Sequence, residues 1–281
     1  MSNLAEQIPE IDQAQMGKLR DAETAGGGVQ LPFPVAYIHW QNGDPKAKAH
    51  AKDNPALYFG GWATDNDKLG QLVEDGVVAG YPEGWSAFEG HGENAWNGMA
   101  TRAITFSFIS TRERWLGADG VSYTAEYDPE HTRRHLQTLA LLYSAAKPWG
   151  YTVLTAKGFQ AKYFREAVAA WSKAIAPHRK AIGAATLPLS AFAIRVGTAG
   201  EKPEAVAVGR TATKSITPIR PIIPDDLTAE AIEKRFIGAT NLRANIERLE
   251  MAGEWMAAWK ETTRARSGGA SEEPPAEDPN W

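Results

Sequence analysis

Between Thr101 and Ser110 the chain reads TRAITFSFIS. Ile104, Phe106 and Phe108 alternate there with Thr105 and Ser107. Successive strand side chains point to opposite faces, so this alternation predicts a strand with one buried and one polar side. A chain carrying such a strand must build a sheet and cover it. VAYIHW at 35–40 follows Pro32 and Pro34, which favour an extended start, and also reads as a strand. ALYFGGW at 56–62, VSYTAEY at 121–127 and YTVLTAK at 151–157 read the same way.

Helical spacing appears later. Leu136, Leu139, Leu142 and Tyr143 predict a helix over 131–147, ended by Pro148. GFQAKYFREAVAAWSKAI predicts a second helix over 158–175. AFAIRVG at 191–197 and residues 204–219 suggest a hairpin around Gly197–Pro203. PIRPIIP at 218–224 is a stiff connector, and Asp225 or Asp226 can cap a helix after it. One or two helices then run over 227–266, striped by Leu242, Ile246, Leu249 and Met256. The fold class expected is α+β, with an antiparallel β core, additional helices and a C-terminal helical segment. An OB-like barrel and an open sheet satisfy the pattern equally.

Four regions follow: a glycine-ended arm at 1–28, a β-rich core at 29–224, helices at 225–266 and an acidic tail at 267–281. With 281 residues, 43% of them apolar, the chain can bury a core without staples. It has no cysteine, which excludes disulfides, thiolate metal sites and thiol nucleophiles. The polar, acidic first residues carry no secretory pattern, and no apolar run nears the roughly 18 residues that span a bilayer. A cytoplasmic protein is expected.

Charge is segregated. Residues 1–129 hold 9 Lys/Arg against 18 Asp/Glu, residues 130–220 hold 14 against 4, and residues 221–281 hold 7 against 12. The middle third is therefore +10 in a chain of net charge −4. Such a block attracts a polyanion, or folds against the acidic first half.

Catalytic patterns are missing. There is no GxSxG, HExxH or GxGxxG, and GRTATKS at 209–215 lacks the glycine that a phosphate loop needs before Lys214. His131 and His135 have metal-sharing spacing on a helix, but Arg133 and Arg134 between them point to a cationic surface. Glu89, His91 and Glu93 sit among glycines, and Asp65 with Asp67 is a common chance pattern. No cofactor, metal or catalytic residue is expected. The alternative enzyme is a metal-dependent nuclease or hydrolase using Glu89, His91, Glu93 or the His131/His135 pair.

The basic third has a more coherent chemistry. Arg133, Lys147, Lys157, Lys162, Arg165, Arg179 and Lys180 are interleaved with aromatic residues. Cations that follow phosphates and rings that stack on unpaired bases bind single-stranded nucleic acid. Phe164, Val168, Trp171 and Ile175 recur at helical steps and read as core. Trp149, Tyr151, Phe159 and Tyr163 remain as surface candidates. Arg210 and Lys214 share a strand face and can follow a sugar–phosphate backbone, or simply face solvent.

The chain closes with EEPPAEDPNW. Glu277, Asp278, Pro279 and Trp281 resemble the acidic, aromatic-ended tails of bacterial and phage single-stranded DNA-binding proteins, with tryptophan in place of phenylalanine and Asn280 intervening. VLTAKGFQAKYFREAV at 153–168 is also vaguely similar to phage-type proteins of that class. The resemblance implies an OB-fold, non-catalytic binding of single-stranded DNA (RNA being a possible ligand) in replication, recombination or repair, self-assembly, and a tail that recruits partner proteins or covers the cationic surface. A third expectation is an adaptor that assembles through its terminal helices.

Overall fold

The computed structural model describes residues 30–43, 55–89, 97–116, 123–124, 133–184, 186–198, 200, 203–209 and 214–264. Its frame is one large sheet. In chain order its strands are β1 (Ala36–Asn42), β2 (Gly60–Asp65), β3 (Ser86–Phe88), β4 (Gly98–Thr101), β5 (Ala103–Leu116), β6 (Tyr123–Thr124), β7 (Arg133–Ser144), β8 (Lys147–Lys157), β9 (Ala193–Gly197) and β12 (Arg220–Pro221). The spatial order is β12-β9-β5-β7-β8-β1-β2-β4-β3, with β6 on the far end of β5. Among the described residues only β1 and β8 pair in parallel. A separate two-stranded ribbon joins β10 (Val206–Val208) to β11 (Lys214–Ile216). The α+β class and the antiparallel-dominated core stand. The sheet is open at β12 and β3, and no closed barrel forms among the described residues.

Helices are α1 (Pro55–Phe59), α2 (Asn66–Glu74), α3 (Phe159–Ile175), α4 (Ala229–Glu233), α5 (Gly238–Met251) and α6 (Gly253–Arg264). Helix α3 covers one face of the sheet. Ala161, Phe164, Ala167, Trp171 and Ile175 fall at three- and four-residue steps, and all are buried. Phe164 packs edge-on to Trp62 at 5.6 Å and stacks on Phe106 at 5.8 Å. Trp171 Nε1 donates to Arg195 O at 2.7 Å, which ties the helix to β9. Gln160 is the polar exception on the buried side. Its Nε2 donates to Asn42 Oδ1 and Thr217 O, and its Oε1 accepts from Ile219 N at 3.1 Å.

The opposite face is covered by α5, α6 and the stretch before β1. Leu31, Phe33, Ile109, Leu139, Val153, Ala252 and Trp255 form this second core. β5 serves both cores by alternation, with Ile109 on the side opposite Ile104, Phe106 and Phe108. The register shift between Phe108 and Ser110 then turns Ser110 and Arg112 to that same second side, where they meet Met256 and Trp255. Asn245 Nδ2 donates to Ser107 Oγ, which donates to Ser190 O, so α5 is anchored to the polar side of β5.

Three expectations are corrected. Residues 133–144 form a strand, not part of a helix over 131–147. Leu136 and Leu142 enter one core and Leu139 the other, so a strand buried on both faces produced three-residue spacing by coincidence. Residues 191–197 and 204–219 are not one hairpin: β9 pairs with β5 and β12, while β10 pairs with β11. Residues 56–62 are split, because the chain is helical to Phe59 and becomes a strand at Gly60. The strand expected over 101–110 stands from Ala103 and runs on to Leu116, Thr101 instead ending β4, and the helix expected over 158–175 stands from Phe159.

Candidate nucleic-acid interface

The long β5–β7 pair extends beyond the stretch that β9 covers, since β9 reaches only Ala103–Ser107. In that extension the register sets Arg112 opposite Gln137, Arg114 opposite His135, and Trp115 opposite Arg134. β8 adds Lys157 beside His135. Strand ends 112–116, 133–137 and 155–157 thus carry Arg112, Arg114, Arg133, Arg134 and Lys157 against one carboxylate, Glu113. Lys162 and Arg165 join them from the first turns of α3.

The β8-to-α3 corner places those helical cations. Gly158 holds φ 56°, a left-handed backbone that a side chain would strain, and its N–H donates to Arg134 O at 2.7 Å. The helix opens with no side-chain cap and no acidic residue in its first turn. Its dipole adds partial positive charge at the same end of the sheet.

These groups have different duties. Arg112 is structural: Nε and Nη2 donate to Gln137 Oε1 at 2.9 and 2.7 Å, Nη1 donates to Trp255 O at 2.7 Å, and the guanidinium lies over the rings of Trp255 and Trp259. Arg134 pairs with Glu113 and lies over the Trp115 ring at 5.5 Å. Arg165 meets the same carboxylate at 3.4 Å. Arg133 and Lys157 face solvent. Burial, then Arg133, lowers the Lys157 pKa. His135 is 5% exposed, 5.4 Å from the Trp259 ring. Burial first, then Lys157, His39, Arg112 and Arg133, pull its pKa down to about 3, so its imidazole is neutral near pH 7.

The sequence candidates divide between places. Arg133, Lys157, Lys162 and Arg165 share the basic end, with Phe159 half-buried at the start of α3. Lys147 and Trp149 lie toward the other end of β8, about 33 and 26 Å from Lys157 at 3.3 Å per residue. Trp149 Nε1 donates to Gly80 O, and its ring packs on the main core. Tyr151 is held in the second core by Phe33, with Arg248 above it. Tyr163 is half-buried beneath Arg220. Arg179 and Lys180 lie beyond the far end of α3, about 25 Å along the helix from its start. Lys214 is on β11, while Arg210 and the tail residues Glu277, Asp278, Pro279 and Trp281 lie outside the described residues.

Four contributors were not singled out from the sequence: Arg112, Glu113, Arg114 and Trp115. Their signal was an arginine at alternate positions just past a clear strand, joined to the basic third only by register.

Of the metal candidates, His91, Glu93 and His131 lie outside the described residues. His135 is on a strand, which removes the helical rationale for pairing it with His131. Among the described residues no group of three or more His, Asp or Glu side chains is placed to hold a metal ion, and no helix is long and apolar enough to cross a membrane. Comparison with protein-family models, curated proteins and solved structures gives no match for this chain.

Proposed function

We propose that this protein binds single-stranded nucleic acid, in the first instance single-stranded DNA, without acting on it chemically. The supporting observation is the gathering of cations from β5, β7, β8 and α3 at one end of the sheet, beside the half-buried Trp115 ring. Backbone phosphates would meet Arg133, Lys157, Lys162 and Arg165, and a base would stack at Trp115. The basis is an open sheet end rather than a barrel groove. The acidic tail, in this proposal, recruits protein partners in replication, recombination or repair.

Fluorescence anisotropy of labelled oligo(dT) tests it. For single strands the log–log salt slope is about −0.7 per phosphate neutralised, so engagement of four phosphates gives roughly −3. A slope near zero, or equal affinity for duplex, would sink the proposal. Deleting residues 268–281 should leave DNA binding unchanged or tighter while abolishing partner recruitment.

A second reading, assembly through the terminal helices, is favoured by one observation. Ile246 is 50% exposed and Leu249 38% exposed on α5, while Leu242 packs on the main core and Met256 on the second. Sedimentation of wild type against Ile246→Lys decides it: a monomer in both excludes assembly through this face.

A further inference from the structure

Glu113 stands between two arginines that belong to different elements. Its Oε1 is 3.1 Å from Arg134 Nε on β7, and its Oε2 accepts from Arg165 Nη1 on α3 at 3.4 Å. Trp115, two residues along β5, lies in register opposite Arg134 and under its guanidinium. The Arg165 side chain is 56% exposed, that of Glu113 33% and that of Arg134 17%, so the group opens to solvent on its Arg165 side. Two guanidiniums, each reaching one oxygen of the same carboxylate through a single nitrogen beside an indole ring, form a donor set suited to a phosphate with its base. Here the oxygens at the centre belong to the chain itself.

Resting on the single-strand reading above, we propose that Glu113 is a built-in stand-in for a nucleotide phosphate. A phosphodiester of the bound strand displaces the carboxylate from Arg134 and Arg165, and the adjacent base stacks on Trp115. A carboxylate and a phosphate offer arginine the same two-oxygen edge. The Arg165 pair is exposed and contributes little, so it opens first, whereas the Arg134 pair, with Arg134 only 17% exposed, is the stronger one and yields to the incoming phosphate second. When no strand is bound, the carboxylate keeps both guanidiniums aimed at one point. It also holds off weaker anions. Glu113 is thereby a selectivity residue.

The test is anisotropy titration of fluorescein-labelled oligo(dT) with the full chain, at two salt concentrations. The proteins are wild type, Glu113→Gln, Glu113→Ala and Glu113→Gln combined with Arg165→Ala, each checked for an unchanged melting temperature. Both single variants are expected to bind about tenfold tighter than wild type, and the double variant to lose most of that gain. If one single variant melts early, the other decides. Unchanged or weaker binding by a folded single variant, with wild type binding normally, overturns the stand-in and leaves the single-strand reading intact. Binding by Glu113→Gln alone supports both. No binding by any of the proteins removes both.

Discussion

The guanidinium of Arg112 lies 3.8 Å from the centre of the Trp255 ring, while its Nη1 donates to the carbonyl oxygen of the same residue at 2.7 Å. One β5 side chain therefore fixes both the ring and the backbone of α6. Trp259, one turn on, covers the guanidinium from 4.2 Å. Arg112→Ala removes a desolvated cation–π contact worth about 2 kcal/mol and leaves Gln137 without its charged donor. We expect a loss of roughly 3 kcal/mol by urea unfolding. Hydrogen exchange in α6 should accelerate more than exchange in α3. Arg112→Lys should restore only part of this, because an ammonium lacks the planar fork. Equal loosening of both helices would show that Arg112 does not specifically hold α6.

Gln160 makes the second polar anchor. It is 3% exposed, and its amide joins α3 to Asn42, Thr217 and Ile219. Gln160→Leu keeps the volume and strands the Ile219 N–H, so the cost should be about 2–3 kcal/mol. Gln160→Glu would turn a buried carboxylate oxygen toward the Asn42 Oδ1 and Thr217 O acceptors, and should cost at least as much as Gln160→Leu at neutral pH. A change below about 0.5 kcal/mol in Gln160→Leu would mean that neighbouring groups reorganise to replace the amide.

How much of this was legible depends on which signals are local. The β5 strand announced itself because Ile104 and Phe106 face one core while Thr105 and Ser107 do not. α3 was legible because one face alone is buried. β7 was not, because residues 135–142 are buried on both sides and leave no polar alternation to read. β9 was misplaced because its partner, β5, is distant in sequence. The candidate site failed in the same way. Lys157, Lys162 and Arg165 lie in a visibly basic stretch, but Glu113 and Trp115 come from a net acidic segment. Only strand register brings them together.

The turn between β7 and β8 concealed its own hairpin. Ala145 and Ala146 occupy φ 48° and 62°, the left-handed region that a two-residue hairpin turn requires and that Asn-Gly normally fills. Alanine there is disfavoured by about 1 kcal/mol or more per residue. Ala145→Asn with Ala146→Gly should therefore stabilise the protein by about 1–2 kcal/mol in thermal or urea unfolding. A destabilised double variant would contradict this turn geometry.

Stability should decline with acid through His135. Its pKa is about 3 in the folded chain, against an ordinary value of 6.5. Between those values the unfolded chain binds a proton that the folded chain refuses. The stabilisation is complete above about pH 6.5 and is lost as pH falls toward 3, with a slope of about 1.4 kcal/mol per pH unit. His135→Gln removes this titration. Its unfolding free energy should change less between pH 6.5 and 4 than that of wild type. Parallel pH profiles would mean that His135 is protonated in the folded state as readily as in the unfolded one.

Lys147 and Lys157 offer the sharpest test of where a strand would bind, because they lie at the two ends of the same β strand. Both face solvent, so each tolerates glutamate with little effect on stability. Lys157 sits beside His135 in register, and burial first and then the Arg133 charge lower its pKa, whereas Lys147 follows the hairpin turn. Lys157→Glu removes one cation from the basic end and adds one anion there. Affinity for oligo(dT) should fall about tenfold or more at low salt, and the salt slope should become shallower by about 0.7 for each phosphate no longer neutralised. Lys147→Glu should change neither beyond about twofold, since screening over about 30 Å leaves little of its charge at the basic end. Equal losses from both variants would show diffuse attraction to the whole +10 segment and would dissolve the interface. A loss confined to Lys147→Glu would move it to the other end of the sheet, away from Glu113 and Trp115.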